Sequence, residues 1–547
     1  QNILGLDQVG IQDNFFELGG DSILSIQMIA QARNAGLSIN PKQLFQYQTI
    51  GELSHAIAQG SETQILAQQG QVVGSVPLTP IQRWFLDQSW SNPHHFNQAV
   101  LLQVPPDIQI EGLHQSLAYL VKHHDALRLR FEHHDGQWHQ FHTEDEGETL
   151  PLETVDLSTL PTAEQGTALE AIANQHQARL HLSHGPVWQI VLFSLGPQQP
   201  QRLLLILHHL VVDGVSWRIL LGDLFTLYHQ YLADHELQLP PKTTAFQDWA
   251  LNLDAYTQST ELKAQLDYWL NLSWPLVKSL PVDTANPANR AIVADTKNIT
   301  VSLTTDETEQ LLKQVPKAYN TQINDVLLTA LAEVLGDWSN SNTVLVNLEG
   351  HGRSALFEQV DVSRTVGWFT SLYPVVLTVA PNAFPGENLK AVKEQLRGIP
   401  QEGIGYGLLG YMTQDVEIKE KLRTLPTPEL SFNYLGQVEQ GLNVANNWSL
   451  APETIGSFHS PEGRKPHMID ISAQVVAEGL QVIWSYSQAH HHPETINNFS
   501  QDYIRRLKVL IGHCLSEEAG GYTPSDFPLV DLTQGDLDEM LEQFDLS

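Results

Sequence analysis

The sequence predicts a small helical domain followed by a larger α/β region built from two similar lobes. The first 58 residues have helical periodicity, whereas from residue 76 onward helices alternate with short apolar strands. In this later part, the order helix, apolar strand and glycine-bearing polar motif occurs twice, ending near residues 214 and 353. Because 547 residues are too many for one hydrophobic core, the repetition indicates two lobes of ordinary domain size.

The composition is that of a globular protein and excludes some partners. Hydrophobic residues make up 42% of the chain and charged residues 17%. Lysine and arginine total 29 against 62 acidic residues, for a net charge of −33. This charge repels phosphate backbones and anionic lipids, so we expect neither nucleic acid nor membrane as a partner. The single cysteine, Cys514, and the lack of a targeting or membrane-spanning segment predict a cytoplasmic location.

Residues 1–59 predict a small all-α domain. An apolar-periodic segment begins at Ser22 and ends at Gly36, where glycine typically stops a helix. The pattern Thr-x-x-Glu that begins at Thr49 is that of a capping box and predicts the start of a last helix. The Gln-, Gly- and Ser-rich stretch that follows predicts a linker over residues 60–75.

The larger region predicts a first lobe over residues 76–245, a second lobe over 246–530 and a linker or docking segment over 531–547. The turn sequence His134-Asp135-Gly136 predicts a hairpin. Periodicity predicts helices over 111–123, 217–232 and 325–335, strands over 203–207 and 343–348, and a short amphipathic helix in the acidic tail.

The first chemical motif surrounds Ser22. A serine that opens a helix is usually an N-cap, because its hydroxyl accepts a spare backbone N–H. The longer run Asp13-Asn14-Phe15-Phe16-Glu17-Leu18-Gly19-Gly20-Asp21-Ser22-Ile23 resembles the phosphopantetheine attachment site of peptidyl carrier domains in nonribosomal peptide synthetases. The resemblance implies a four-helix carrier domain whose Ser22 carries a covalent 4′-phosphopantetheine, with an aminoacyl or peptidyl group bound to its thiol as a thioester. Asp21 resembles the residue of carriers that directly precede an epimerization domain.

The second motif is His208-His209-x-x-x-Asp213-Gly214, at the end of a predicted strand. Neighbouring side chains of a strand face opposite ways, so only one of the two histidines can point into a given cleft, which weakens a metal-site interpretation. A neutral imidazole is a good proton acceptor near neutral pH. The motif resembles that of the condensation-type acyltransferase superfamily, whose two lobes are each similar to chloramphenicol acetyltransferase. This implies a V-shaped pseudodimer with a central tunnel, with His209 facing the tunnel and Asp213 in a structural ion pair.

Further motifs distinguish members of this superfamily. In chain order they are Pro80-Ile81-Gln82-x-Trp84-Phe85, His123-His124-Asp125-x-Leu127-Arg128, Glu349-Gly350-His351-Gly352-Arg353, Arg364-Thr365-Val366-Gly367-Trp368-Phe369-Thr370, Gly403-Ile404-Gly405-Tyr406-Gly407 and Phe432-Asn433-Tyr434-Leu435-Gly436-Gln437. Each is similar to a core block of epimerization domains, and together they cover residues from about 76 to 530. The Glu349 block discriminates best, because a condensation domain has no need of a carboxylate there.

The resemblance implies that the chain inverts the α-carbon of a residue held as a thioester on Ser22. The expected catalytic residues are His209 and Glu349, one from each lobe, and which of them removes the proton from the L form is open. Asn433 and Tyr434 match a tunnel-lining block and are expected to donate hydrogen bonds to the developing oxyanion. The other supporting residues are His208, Asp213, Gly214 and Arg353, with Asp213 and Arg353 expected to pair. No metal or nucleotide is expected.

Other functions stay open at this point. The nearest alternative is a condensation domain that forms a peptide bond between two carrier-bound groups, and the Glu349 block and the preceding carrier disfavour it. An inactive carrier-docking module and a free-standing acetyl-CoA-dependent acyltransferase are less favoured, because the motif residues are intact and a carrier is fused. The resemblance implies an upstream adenylation domain, a downstream condensation domain or partner synthetase, and a phosphopantetheinyl transferase as partners.

Overall fold

A computed structural model describes a small helical domain and a two-lobed α/β domain. The described residues are 1, 3–37, 39, 41–59, 67–88, 90–144, 150, 152–284, 291–437, 448–477, 479–527, 530 and 532–544.

The small domain contains three α-helices among its described residues: α1 (Ser22–Asn34), α2 (Pro41–Gln46) and α3 (Ile50–Gln59). Its core consists of apolar side chains buried between them: Phe15, Leu24, Ile29, Ile39, Leu44 and Leu53. The predicted capping box is present, since Thr49 Oγ1 accepts a hydrogen bond from the Glu52 amide at 3.2 Å.

The segment before α1 differs from the four-helix expectation, because its described residues form turns. Asn14 Oδ1 accepts a hydrogen bond from the Phe16 amide at 2.9 Å, and Gly19 has a φ of +94°. Such local side-chain-to-backbone bonds and a left-handed glycine compete with helix formation. The described part of residues 3–21 therefore reaches α1 through turns.

The larger domain contains fourteen strands within the described residues: β1 (Gly74–Val76), β2 (Asn97–Val104), β3 (Leu129–His134), β4 (Gln137–His142), β5 (Leu152–Asp156), β6 (Trp188–Ser194), β7 (Gln201–His208), β8 (Thr296–Ser302), β9 (Thr343–Gly350), β10 (Ser371–Thr378), β11 (Leu430–Gln437), β12 (Ser449–Leu450), β13 (Ile469–Val476) and β14 (Gly479–Ser487).

Its α-helices in the same part of the chain are α4 (Pro80–Leu86), α5 (Ile110–His123), α6 (Thr162–Gln177), α7 (Gly214–Leu232), α8 (Phe246–Tyr256), α9 (Thr260–Ala264), α10 (Leu266–Leu270), α11 (Thr305–Lys313), α12 (Val315–Tyr319), α13 (Ile323–Ser339), α14 (Pro385–Arg397), α15 (Ile404–Gly407), α16 (Val416–Arg423), α17 (Pro493–Cys514) and α18 (Gln534–Phe544). The helix predicted in the acidic tail is present as α18, and none of the helices in the described part of the chain is long and apolar enough to cross a bilayer.

The strands form three sheets. The first lobe has a sheet of order β12-β2-β7-β6-β5 and a small sheet β1-β4-β3, and the second lobe has a sheet of order β10-β9-β11-β13-β14-β8. Both large sheets are mixed, because β5 pairs with β6, and β11 with β9 and β13, in parallel. Helices cover these sheets, which confirms the predicted two-lobed α/β fold.

One strand crosses from the second lobe to the first. β12 lies late in the chain, yet Ser449 and Leu450 pair with Gln103 and Leu102 of β2. Close by, Arg202 forms an ion pair of 2.7 Å with Glu453. The second lobe therefore supplies the edge strand of the first lobe's large sheet.

The predicted hairpin is confirmed, since β3 and β4 are antiparallel around a two-residue turn. Asp135 and Gly136 have φ values of 52° and 77°, as a type I′ turn requires. The helices and strand expected over 111–123, 325–335 and 343–348 lie within α5, α13 and β9.

The expected linker is shorter in the structure than in the prediction. Residues 60–66 lie outside the described residues. At the other end, residues 74–76 form β1, which pairs with β4. Val72 and Val76 are buried, so apolar burial draws the end of this polar stretch into the larger domain.

Candidate active site

His208 is the last residue of β7 and is fully buried. Its Nε2 donates to the Pro93 carbonyl at 2.8 Å, and its Nδ1 accepts from the Leu210 amide at 3.1 Å. Burial lowers the pKa of His208 to about 3, so the ring is neutral. With both nitrogens bonded to backbone, His208 fixes the turn at the end of the strand.

His209 begins that turn and is half-buried. Its Nδ1 donates to the Val212 carbonyl at 2.8 Å, so Nε2 holds the lone pair and accepts from Gln98 Nε2 at 3.0 Å. Gln98 is held in this orientation because Trp217 Nε1 donates to its Oε1 at 2.8 Å. Burial lowers the pKa of His209. The arrangement is a neutral imidazole with a basic Nε2, whereas both ring nitrogens of His208 are bonded to backbone groups.

Asp213 caps α7 and joins it to the second lobe. Its Oδ1 accepts from the Ser216 amide at 2.7 Å, and its Oδ2 accepts from the Phe369 amide at 3.1 Å. Arg353 Nη2 donates to both carboxylate oxygens at 2.9 and 3.0 Å. The expected pairing of Asp213 with Arg353 is therefore present, and it links the His209 turn to the loop after Glu349.

The Arg353 side chain is almost fully enclosed. Its Nη1 donates to the Val362 and Thr365 carbonyls at 3.0 and 2.9 Å, and its guanidinium lies 3.9 Å from the centre of the Phe369 ring. A Cβ on Gly352, whose φ is +67°, would lie 1.7 Å from the Phe369 carbonyl oxygen. Glycine is required here for the close approach that places Arg353 against Asp213.

Gly214 is the first residue of α7 and is exposed. A Cβ built on Gly214 meets no atom within 4 Å. The helix N-terminus beside Asp213 is therefore open to an approaching group.

Glu349 lies near the end of β9 and accepts a hydrogen bond from Asn433 Nδ2 at 2.8 Å. Desolvation raises the pKa of Glu349 to about 7, and the nearby Asp470 adds to this effect, while His467 and Asn433 oppose it. A carboxyl group with this pKa can donate or accept a proton near neutral pH.

Strand pairing explains the polar surroundings of Glu349. β9, β11 and β13 run parallel in register, so Asn347, Ser431 and Asp470 form a row beside Glu349 and Asn433. Ser431 Oγ donates to Asp470 Oδ1 at 2.6 Å.

Asp470 also pairs with Lys465 and accepts from His467 Nδ1 at 3.0 Å. Although burial raises the pKa of Asp470, Lys465 and His467 outweigh it and hold that pKa well below its usual range. Asp470 is thus a fixed negative charge beside Glu349.

His459 is a residue that sequence reasoning missed. Its ring stacks on Phe96 with centroids 4.2 Å apart, and Phe96 stacks in turn on His209 at 5.6 Å. Trp368 packs against His209 at 4.3 Å. Burial lowers the pKa of His459 to about 3, His209 lowers it further and Asp470 opposes the shift. Phe96 therefore lies between the His209 and His459 rings, and the charge of Asp470 affects the pKa of both His459 and Glu349. No local pattern around Phe458-His459-Ser460 distinguishes this histidine from a loop residue.

Asn433 and Tyr434 lie on opposite faces of β11, so only Asn433 contacts Glu349. Tyr434 is buried, and its surroundings include Asp21 of the small domain and Arg218 of α7. The expectation that both residues donate to one oxyanion stays a prediction, although their described neighbours differ.

Ser22 is not the N-cap of α1. Asp21 takes that role, since its Oδ1 accepts from the Ile23 and Leu24 amides at 2.9 and 2.8 Å. Among the described residues no hydrogen bond engages the Ser22 hydroxyl, and the residue is half-buried. The hydroxyl is thus available as an attachment point.

The larger domain contacts the region around Ser22 directly. Gln437 Nε2 donates to the Gly19 carbonyl at 3.0 Å, and Arg33 forms an ion pair with Asp361. Ile26 belongs to the core cluster of the larger domain. The small domain is docked with Ser22 near the end of β11.

One cluster has the composition of a metal site. Ligand atoms of His123, His124 and Asp223 lie within 4.8 Å of one another. However, His124 Nε2 is bonded to Asp223 Oδ2 at 2.9 Å, and Arg364 Nη2 donates to Asp223 Oδ1 at 2.6 Å. The adjacent guanidinium disfavours a second cation, so this cluster is better explained as an ion network between the lobes.

Comparisons with known sequences agree with this organisation. Residues 72–532 match the family "Condensation domain", and residues 1–57 match the family "Phosphopantetheine attachment site". Two of the proteins that make up linear gramicidin synthase in Brevibacillus parabrevis are similar to the chain. One is 47% identical over 99% of this chain and 7% of its own length, and the other is 44% identical over 98% of this chain and 10% of its own length. The chain thus spans a tenth or less of these relatives.

Two solved structures illustrate the fold. The epimerization domain from the third module of tyrocidine synthetase B is 37% identical with a TM-score of 0.76, over 82% of this chain and 98% of that one. The first condensation domain of the calcium-dependent antibiotic synthetase is 18% identical with a TM-score of 0.61, over 82% of this chain and 100% of that one. The second likeness shows the shared fold alone.

The buried ion pair yields a stability prediction. Arg353→Met leaves the Asp213 carboxylate buried without its partner, and we expect the free energy of unfolding of the larger domain to fall by about 3–5 kcal/mol. All 12 tryptophans lie at residue 84 or beyond, so tryptophan fluorescence during urea unfolding reports this domain. Lys421→Ala, which breaks the exposed pair with Glu417, is the matched control and should leave the unfolding midpoint almost unchanged. Equal midpoints for both variants would contradict the assigned role.

Proposed function

The chain belongs to the condensation-domain family and has a phosphopantetheine attachment domain ahead of it, and we propose that its larger domain is an epimerase. It inverts the α-carbon, from L to D, of an aminoacyl or peptidyl group bound through 4′-phosphopantetheine to Ser22. The observation that carries the proposal is Glu349, a carboxyl group that accepts a hydrogen bond from Asn433 and whose pKa desolvation raises to about 7. Inversion needs a proton acceptor and a proton donor, and His209 and Glu349 supply both.

The residues around Ser22 fit the prosthetic group. The Ser22 hydroxyl is not used for capping, and Gly436, with a φ of +72°, lets β11 approach Asp21 and Ile23 on either side of Ser22. When attached, the group presents its acyl chain as a thioester, in which the hydrogen on the α-carbon is more acidic than in an amide. Gly214 leaves the N-terminus of α7 open beside the His209 turn.

His209 is proposed to move a proton at Nε2. Its Nδ1 proton is held by the Val212 carbonyl, so the lone pair stays on Nε2. Gln98 orients this nitrogen and would release it to a substrate hydrogen. Trp368 and Phe96 flank the ring, restrict its rotation and exclude water.

Glu349 is proposed to move the second proton at its carboxyl group. Asn433 donates a hydrogen bond to Glu349 Oε2, and the negative charge of Asp470 helps to raise the pKa of Glu349. Glu349 can therefore act as base on one stereoisomer and as acid on the other. A condensation domain needs no such carboxyl group, so the properties of Glu349 favour epimerization over peptide-bond formation.

The partners follow from the same proposal. The relatives are multimodular synthases of which this chain matches a tenth or less. We propose that an adenylation domain upstream supplies the acyl group, and that a phosphopantetheinyl transferase modifies Ser22. A condensation domain or partner synthetase then receives the product.

Loss of either catalytic residue should stop proton exchange. We expect His209→Ala and Glu349→Ala each to slow uptake of solvent deuterium at the α-carbon by about 10²–10⁴-fold, with loading of Ser22 intact. Mass spectrometry of the bound acyl group measures both quantities. Normal deuterium uptake in either variant removes that residue from the mechanism. A dipeptide formed from donor and acceptor thioesters, without uptake, would instead identify a condensation domain.

Loading should require Ser22 alone. Treatment with a phosphopantetheinyl transferase and coenzyme A is expected to add one prosthetic group, and Ser22→Ala should abolish the addition because no other hydroxyl occupies this position of α1. Ser25→Ala is the control, since its hydroxyl is bonded to the Asp21 carbonyl at 2.8 Å. Addition to the Ser22→Ala chain would refute the carrier assignment.

The reaction should depend on pH in opposite directions for the two stereoisomers. Glu349 must be ionised to remove a proton, so the rate in that direction rises as pH passes through about 7. In the reverse direction Glu349 must be protonated to donate, so that rate falls above about pH 7. Asn433→Leu removes a hydrogen bond that favours the carboxylate, and should move both midpoints upward. Initial rates of deuterium uptake from L- and D-loaded chains give the profiles. Asn298→Leu, on the exposed edge strand β8, is the control, and parallel profiles for both isomers would contradict the role of Glu349.

A further inference from the structure

The docked small domain meets the larger domain next to Ser22. The end of β11 passes Asp21 so closely that a Cβ on Gly436 would lie 3.1 Å from Asp21 Oδ2 and 3.3 Å from Ile23 Cδ1. The same Cβ position lies 3.8 Å from Arg218 Nη2. Asp21, Arg218 and the β11 terminus thus converge around the residue that we propose is modified.

Two buried polar atoms in this region have no partner among the described residues. These are Asp21 Oδ2 and the Tyr434 hydroxyl. Tyr434 is 91% buried, since 9% of its surface is exposed. Unpaired buried polar atoms are costly, and a water molecule or an ion bound at the site is one explanation for them.

Arg218 lies in the same region, beside Gly436, and forms only weak hydrogen bonds of its own. Its Nη2 donates to the Leu435 and Gln437 carbonyls at 3.4 and 3.5 Å, near the limit of hydrogen bonding. Burial lowers the pKa of Arg218, and the charge of Asp21 opposes the shift. An arginine stays charged under these conditions, so a cation with spare donors faces the start of α1.

Tyr434 stays protonated in the same place. Burial raises the pKa of Tyr434 well above its usual value, and Asp21 adds to the effect while Arg218 opposes it. Its hydroxyl therefore offers a proton to an acceptor, while the docked small domain supplies none among the described residues.

We propose that Arg218 and Tyr434 form the binding site for the phosphodiester that joins the prosthetic arm to Ser22. The inference rests on the proposed attachment at Ser22. On modification, the Arg218 guanidinium binds the phosphodiester while Tyr434 donates to a second phosphodiester oxygen.

The chemistry of the three partners is complementary. A phosphodiester has one negative charge and accepts hydrogen bonds, which matches the forked donors of arginine and a phenol hydroxyl. The N-terminal end of α1 favours an anion at the same point. Gly436 has no side chain to fill this space. Binding of the phosphodiester would fix the end of the phosphopantetheine that is attached to Ser22, so every acyl group would extend from the same point in the same direction.

The ³¹P NMR signal of the phosphodiester tests the proposal on the full chain. After loading with a phosphopantetheinyl transferase and coenzyme A, the folded chain is expected to show a resonance displaced and broadened relative to the same chain unfolded in urea. Arg218→Gln should lose most of this displacement, and Tyr434→Phe should lose part of it. The signal reports the phosphodiester and does not depend on epimerization.

Lys313→Gln is the matched control, because Lys313 is another cation of the larger domain next to the small one, and its Nζ is paired with Glu309 at 2.7 Å. It should keep the wild-type signal. If Arg218→Gln does not fold, Arg218→Lys retains the charge without the fork and should lose part of the displacement. A wild-type signal in a folded Arg218 variant, or no displacement in the wild-type chain, overturns the inference. Failure of Ser22 to accept the arm would instead refute the proposed carrier function.

Discussion

The ion pair between Asp213 and Arg353 is the constraint on which the candidate active site depends. Asp213 caps α7 four residues after His209, and Arg353 follows Glu349 by four residues. A bond between these partners therefore fixes the two catalytic candidates through equally short connections, one in each lobe. The charges are removed from water, and the geometry is retained because Asp213 accepts and Arg353 donates several hydrogen bonds. The contact requires glycine at position 352, since any side chain there would clash with the Phe369 carbonyl.

Burial shifts the pKa values of the two candidates in opposite directions, lowering that of His209 and raising that of Glu349. Removal from water disfavours charge, so the imidazole of His209 stays neutral while the carboxyl group of Glu349 keeps its proton to a higher pH. The cluster of Asp470, Lys465 and His467 adds a fixed charge beside Glu349 without exposing it to solvent. Desolvation thus favours the neutral form of both candidates, a base at His209 and an acid at Glu349.

Much of the fold followed from local sequence patterns. The β3–β4 hairpin is specified by Asp135 and Gly136, which tolerate positive φ, and the long helices and strands by their apolar periods. The motifs also identified Asp213 and Arg353 before their contact was known. Features that depend on contacts between distant segments could not be predicted, such as the positions of His459 and Asp470. The cap was missed for a local reason, since Asp21 and Ser22 are adjacent and both residue types suit an N-cap. Strand register, rather than residue type, brings Asp470 next to Glu349.

The pairing of β12 with β2 has a consequence for how the chain assembles. The first lobe's large sheet lacks its outer strand until Ser449 and Leu450 have left the ribosome, more than 200 residues after β7. Until then β2 presents free backbone groups, a template for pairing with other chains. Recombining modules by cutting between the lobes would leave that edge open permanently. The pair of lobes is therefore the smallest part of the larger domain that can be exchanged with both large sheets complete.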